Sequence, residues 1–365
     1  MKIALVIASL QSGGAERVAI NLANGFAVEG HDVTLITLAS QQSDFYDVPT
    51  NIRRVALDCM ATSYAITNAL RSNLERISLI RDTLRDLNPS VTISFCTETN
   101  VLAILAARRL ATKVVVTEHS DPTKNSYRLY WRLLRRAVYP FADYLVSVSK
   151  GVQRGFGWMP SIKSKVIYNP ISVSSPSEFF DVPEGCDRSK KWITSMGRLD
   201  YLKGFDILLD AVSLIRTRLA GWQICIIGDG PLRREIAEKI CKLDLQNLIV
   251  LTGRLKNPHN VIRQSRLFVM ASRLEGFPMA HAEALMCGVP VIATDCPSGP
   301  SEMIETGVNG MLVPTESPED IASALLALID DTELLARLAD GTLEITSRLG
   351  IKPIIKQWQA LFDQF

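Results

Sequence analysis

Short runs of β-branched and other apolar residues recur along the chain. Between them lie segments in which apolar residues return every three or four positions. In the first half the runs are Ile3–Ser9, Val33–Leu38, Val91–Phe95, Val114–Thr117, Tyr144–Val148 and Val166–Tyr168. Their shortness and near-continuous apolar character predict strands buried on both faces. The intervening segments, such as Ala15–Val28 and Leu74–Leu87, predict amphipathic helices. The pattern lapses over Ile171–Ser189, a stretch rich in Ser and Pro with no period, which reads as a linker. It restarts with Trp192–Met196, Gln223–Ile227, Leu248–Leu251, Leu267–Ala271, Val291–Thr294 and Met311–Val313, with helices such as Phe205–Arg218 and Ala282–Met286 between. Strands joined by helices make parallel, doubly wound sheets. The expected fold class is therefore α/β, with two Rossmann-like domains, 1–170 and 190–350, joined by a linker at 171–189. A last helix, about Pro353–Phe362, follows a break at Gly350, and 351–365 is expected to cross back to the first domain.

A length of 365 residues agrees with two domains. A composition of 47% apolar and 21% charged residues excludes a disordered chain and a disulfide-stapled scaffold. Apolar runs such as Val101–Ala107 fall far short of the ~20 residues that span a bilayer, so no transmembrane helix is expected. Nor is a signal peptide, because Gln11–Gly14 leads from the first apolar run straight into a helical pattern. The seven cysteines are scattered, without a Cys-x2-Cys pair, and the four histidines lie apart from them. Neither a zinc site nor a disulfide framework is expected, and a reducing cytoplasm suits the chain best. The net charge of +2 argues against a generic nucleic-acid-coating protein, yet it hides an asymmetry. Residues 1–170 carry 20 Lys and Arg against 13 Asp and Glu, and residues 171–365 carry 20 against 25. The two halves are expected to face different partners.

In doubly wound sheets ligands bind at the carboxyl ends of the strands, near the switch point of strand order, and between two such domains the cleft is the default site. After the first strand, QSGGAER places Gly13 and Gly14 ahead of a helix N-terminus, an arrangement open to an anion or to a simple turn. After the first strand of the second half, MGRLDYLKGFD presents Arg198 and Lys203, either a diphosphate clamp or two solvated cations. IGDGPLRRE makes a tight strand-to-helix turn at Gly228, and TGRLKNP offers Arg254 for a base. The most informative stretch is SRLEGFPMAHAEALMCGVP. Here Glu275 precedes a helix expected to start near Met279, and Glu283 lies about one turn inside it. The amides of Phe277, Met279 and Ala280 are expected to face the same space, whereas Pro278 has no N–H to offer. Carboxylates take sugar and ribose hydroxyls, and a helix tip takes phosphate.

The segment EGFPMAHAEALMCGVPVIATDCPSGPSEMI resembles the Glu-x7-Glu signature of the retaining family-4 glycosyltransferases of GT-B fold. GRLDYLKGFD resembles their diphosphate clamp, QSGGAER their N-terminal glycine loop, and IGDGPLR and VIYNPI are similar to further family segments. The matches occur in the family's order over nearly the whole chain, most like bacterial polysaccharide and lipid-linked oligosaccharide enzymes. The resemblance implies that Arg198 and Lys203 neutralise a departing diphosphate in place of a metal ion. It also implies that Glu275 contacts the transferred sugar, that Glu283 binds the donor ribose, and that Arg254 lies near the base. Pro278, where many relatives have Gly, departs from the pattern. No Asp-x-Asp follows a strand, and neither metal nor other cofactor is expected. The resemblance extends to His119 in TEHSDP, because many relatives carry a His there that contacts the transferred sugar. His31, His259 in a loop and His281 receive no catalytic role.

From Pro122 to Ala142 the chain carries five cations and no acid, interleaved with Leu and aromatic residues. This predicts a basic amphipathic helix, with Arg128, Trp131, Arg132, Arg135 and Arg136 as a membrane or acceptor surface, or else a helix whose arginines are merely solvated. The resemblance thus implies a retaining hexosyltransferase that moves a hexose or N-acetylhexosamine from a nucleotide-sugar, UDP-linked, to a saccharide acceptor on a polyprenyl pyrophosphate. Such an enzyme is expected to sit peripherally on the inner face of the cytoplasmic membrane and to take no nucleic acid. A nucleotide-sugar epimerase or phosphorylase on the same architecture, and a non-catalytic sugar-nucleotide or lipid-binding module, are the competing readings.

Overall fold

A computed structural model of the chain describes residues 1–11, 13–60, 66–123, 129–175 and 182–365. Its first elements are β1 (Lys2–Ile7), α1 (Gly14–Val28), β2 (Asp32–Thr37), β3 (Arg53–Ala56), α2 (Ile66–Leu87), β4 (Val91–Phe95) and α3 (Thr97–Ala107). Then come β5 (Lys113–Glu118), α4 (Leu129–Val138), β6 (Tyr144–Ser147), α5 (Lys150–Arg154) and β7 (Ser164–Val166). The second series runs β8 (Lys191–Met196), α6 (Phe205–Leu214), β9 (Trp222–Ile227), α7 (Arg233–Lys242), β10 (Ile249–Gly253), α8 (Pro258–Gln264), β11 (Ser265–Met270) and α9 (Met279–Met286). It ends with β12 (Val291–Thr294), β13 (Gly310–Val313), α10 (Pro318–Asp330), α11 (Thr332–Asp340), α12 (Ile345–Leu349) and α13 (Ile351–Phe362).

The chain divides into two units, one of residues 1–170 with 351–365, the other of residues 171–350. In the first, strands run in the order β3-β2-β1-β4-β5-β6-β7, and every pair is parallel. Interior strands are buried on both faces because helices cover them: β4 is buried at all five positions, its Thr92 and Ser94 included, and β1 at all but its first. The edge strand β3, Arg-Arg-Val-Ala, lies outside every apolar run in the sequence. Its register on β2 is secured by Arg54, which pairs with Asp44 at 3.0 Å and donates to Thr37 Oγ1 at 2.6 Å. Helix α13 packs on α1, with Phe26 against Trp358 and Phe362 at ring separations of 6.1 and 5.5 Å.

The second unit holds the order β10-β9-β8-β11-β12-β13, again all parallel. Its strand order reverses between β8 and β11. The expected linker at 171–189 is not a free tether in its described parts. The Ile171 amide donates to Leu349 O at 2.8 Å, Ser174 N to His259 Nδ1 at 3.1 Å, and Asp187 N to Gln223 Oε1 at 2.8 Å. Ser and Pro break the helical period, but backbone amides tie the segment to the second unit.

Candidate functional site

The strand order reverses between β8 and β11, and the loops after these two strands lie at the carboxyl edge of the sheet, the place where such sheets receive ligands. After β8 the chain turns through a short 3₁₀ segment, Tyr201–Lys203, capped by Asp200, whose carboxylate accepts from the amides of Leu202 and Lys203. Gly204 ends it in the left-handed region at φ 62°. A Cβ there would stand 1.9 Å from the carbonyl oxygen of Ala271, so the turn lies directly against the exit of β11. That approach brings together side chains 72 residues apart. Lys203 Nζ reaches Glu275 Oε1 at 2.6 Å, and Ser272 Oγ donates to the same oxygen at 2.7 Å. Burial acts to raise the Glu275 carboxyl. The Lys203 charge, the neighbouring His281 and the hydrogen bonds from Lys203 and Ser272 together outweigh it, and the group titrates below the ordinary carboxylate range.

Arg198 stands apart from this pair. Its side chain is 71% exposed, and its Nε lies 3.8 Å from Asp200 Oδ2, so the two cations do not share a partner. Gly228, at φ 137°, packs against the segment that leads into Arg198: a Cβ there would stand 2.0 Å from Gly197 O. Arg254 lies exposed after β10. Helix α9 starts at Met279, with Pro278 as its N-cap residue and Phe277 buried before it. The Met279 N–H donates to Phe277 O at 2.9 Å within the turn. The half-buried Ala280 follows it in the first turn of α9. Glu283, 1% exposed, lies 3.3 Å from His259 Nε2. His259 is on helix α8, not in a loop, because Pro258 sets the first turn of that helix.

In the first unit, Gly13 caps α1 and Gly14 opens it. His119 follows β5. Its ring stacks on Phe95 at 5.6 Å, and Nε2 lies 3.0 Å from Thr117 Oγ1. Desolvation lowers its pKa to about 4, which keeps the imidazole neutral. Just before it, the buried Glu118 carboxylate accepts from Thr97 at 2.8 Å and from Tyr139.

A family model described as Glycosyltransferase Family 4 matches residues 12–175, and one described as Glycosyl transferases group 1 matches residues 177–343; together they take in nearly the whole chain. The chain belongs to the family-4 glycosyltransferases of GT-B fold. It is 27% identical, over 100% of its length and 99% of the relative's, to a Campylobacter jejuni protein. That relative is named GalNAc-alpha-(1->4)-GalNAc-alpha-(1->3)-diNAcBac-PP-undecaprenol alpha-1,4-N-acetyl-D-galactosaminyltransferase. Amylovoran biosynthesis glycosyltransferase AmsD of Erwinia amylovora is 27% identical, with 96% of each chain covered. Among solved structures, Anabaena Alr3699/HepE in complex with UDP superposes with a TM-score of 0.80 at 19% identity, covering 100% of both chains, which shows the shared fold.

In this glycosyltransferase the basic helix is turned differently from the sequence expectation. In α4 the buried stripe is Trp131, Arg135 and Val138, at spacings of four and three. Trp131 is 4% and Arg135 7% exposed, the latter stacked over Phe156 at 5.1 Å, so neither belongs to an outer surface. Leu129, Tyr130, Leu133 and Leu134 are exposed instead, beside Arg132 and Arg136. Arg128 lies outside the described residues. Among the described residues no helix is long and apolar enough to cross a membrane. Near the two glutamates, Ser272 escaped the sequence reading, and His259 and His281 were given no role in it. His281 is buried on α9, and burial lowers its pKa to about 4. His259 meets Glu283 from another helix, a contact that no local spacing rule marks.

Proposed function

We propose that this glycosyltransferase moves a hexose or N-acetylhexosamine from a UDP-sugar to a saccharide carried on a polyprenyl pyrophosphate. In this reading the sugar keeps its anomeric configuration and no metal ion takes part. The observation that carries the reading is the Lys203–Glu275 pair at the strand-order reversal, 2.6 Å apart and largely shielded from solvent. An ammonium has three N–H groups. With one held by Glu275, two are available to the donor's diphosphate. As the glycosidic bond breaks, negative charge grows on that diphosphate, and a cation already in place stabilises the charge most when it is fullest. Arg198, exposed on the same loop, adds a second charge once phosphate arrives. Glu275, held as a carboxylate, accepts from the transferred sugar's hydroxyls, and Glu283 from the donor ribose. Bound in this way to Lys203 and Ser272, Glu275 is poorly suited to attack the sugar. The acceptor hydroxyl then adds on the face the diphosphate leaves, and a departing phosphate oxygen takes its proton. Gly228, Arg254, Phe277, Pro278 and Ala280 complete the donor's surroundings in this reading.

The acceptor class draws its support from the C. jejuni relative, whose name specifies an undecaprenol-PP glycan, and the uridine from the Anabaena structure with UDP. The exposed leucines and arginines of α4 suit an anionic membrane surface, and the enzyme is proposed to work peripherally on the inner face of the cytoplasmic membrane. A panel of UDP-, GDP- and ADP-sugars, offered with a polyprenyl-pyrophosphate-linked saccharide, tests the reading through released nucleotide and product anomer. Acceptor-dependent release of UDP with an α-linked product from an α-linked donor is expected. Donor consumption without acceptor, or an inverted product, would contradict it.

A further inference from the structure

Arg273 lies two residues before Glu275 in the loop after β11, and nothing said of the donor accounts for it. Its side chain is 12% exposed and fully committed. Nη1 and Nη2 each donate to one oxygen of Asp206, both at 2.7 Å, and Nε donates to Glu316 Oε1 at 2.6 Å. Nη1 also donates to the carbonyl of Tyr201 at 2.8 Å, and the guanidinium lies 4.1 Å from the centre of the Tyr201 ring. The Arg273 backbone N–H donates to Leu202 O at 2.8 Å.

These partners come from three separate places. Tyr201 and Leu202 belong to the turn that carries Lys203, and Asp206 to the first turn of α6. Glu316 lies between β13 and α10 at φ 57°, a conformation that needs support from its neighbours. The fork of Arg273 also holds the Asp206 carboxyl below its usual range. One side chain thus cross-ties the segment bearing Lys203 to the segment bearing Glu275. A lysine has no planar fork and cannot do this.

We propose that Arg273 is a positioning residue that fixes the register of Lys203 against Glu275 without touching the donor. The inference rests on the role given above to that pair. Misplacing a charge contact by about 1 Å can cost about 100-fold in rate, so a dedicated brace has a kinetic reason to exist.

The groups facing Glu275 are Lys203 from the turn, Ser272 from its own loop, His281 from α9 and Cys296 from the loop after β12. When Lys203 swings away, the largest of the effects that lower the carboxyl is lost and its pKa moves upward. The test uses the full chain, the best UDP-sugar of the donor panel for turnover, and UDP alone for binding. Arg273→Ala and Arg273→Lys are expected to lower kcat by about 10- to 100-fold while leaving the Kd for UDP within about threefold. The acid limb of kcat moves to higher pH in both, and ethylguanidinium partly restores Arg273→Ala. A wild-type kcat and acid limb, or a loss that disappears when the folded fraction is corrected for, overturns the inference.

Should Arg273→Ala fail to fold, Asp206→Asn removes one side of the fork. The same upward shift of the acid limb is expected, and an unmoved limb overturns the proposal. Lys203→Ala separates the two levels. Full turnover in that variant refutes the donor reading itself, whereas its loss alongside wild-type behaviour of the Arg273 variants refutes only the bracing role.

Discussion

At the scale of single residues, the site depends on charges whose partners are distant in sequence. The types and order of Lys203, Glu275 and Glu283 were legible, because each stands at a fixed offset from a strand end or helix start. Their partners were not. The contact between Lys203 and Glu275 spans 72 residues, and the neighbour of Glu283 is His259 from another helix. Local patterns report burial and turns, but not which loops meet. Lys203→Ala is expected to cost ~2–4 kcal/mol of transition-state stabilisation, the scale of one preorganised charge contact, seen as a fall in kcat. Near-native kcat would remove this cation from the chemistry. Glu283→Ala is expected to act mainly on the KM for the donor, and an unchanged KM would contradict the ribose assignment.

Among the elements, buried parallel strands were the clearest to read, because they appear as unbroken apolar runs. Two elements of the first unit show where that legibility ends. Strand β3 is a four-residue edge carrying two arginines, and it gains its place from Arg54 hydrogen bonds. Helix α3 is buried at nearly every position and so shows no amphipathic period. Helix α4 shows a different failure. The sequence fixes its basic and apolar content but leaves its rotation open, and the stripe of Trp131, Arg135 and Val138 won the inner face. That rotation makes a paired prediction. Trp131→Ala should lower stability by ~3–5 kcal/mol, the cost of emptying a buried aromatic site. Leu133→Asp, at a position 61% exposed, should leave the melting temperature near wild type while weakening sedimentation with anionic vesicles. Equal vesicle binding by wild type and Leu133→Asp would deny α4 a membrane role.

For the molecule as a whole, acid sensitivity follows from a histidine kept neutral inside the second unit. His281 titrates near 6.5 when exposed and about 4 when folded, because burial disfavours its charged form. The unfolded chain therefore binds a proton that the folded chain refuses between these values, and stability falls as pH drops from about 6.5 to about 4. His281→Gln should flatten this part of the melting-temperature curve; an identical slope would show that the imidazole does not titrate as described. The two units share one architecture, yet Lys203, Glu275 and Glu283, the residues proposed to bind the donor, lie on the second, near its strand-order reversal. Hydrogen exchange on the full chain with and without UDP tests that claim most directly. Protection concentrated in residues 197–204 and 271–283 is the result this account predicts. Protection elsewhere, with those two segments unchanged, would contradict it.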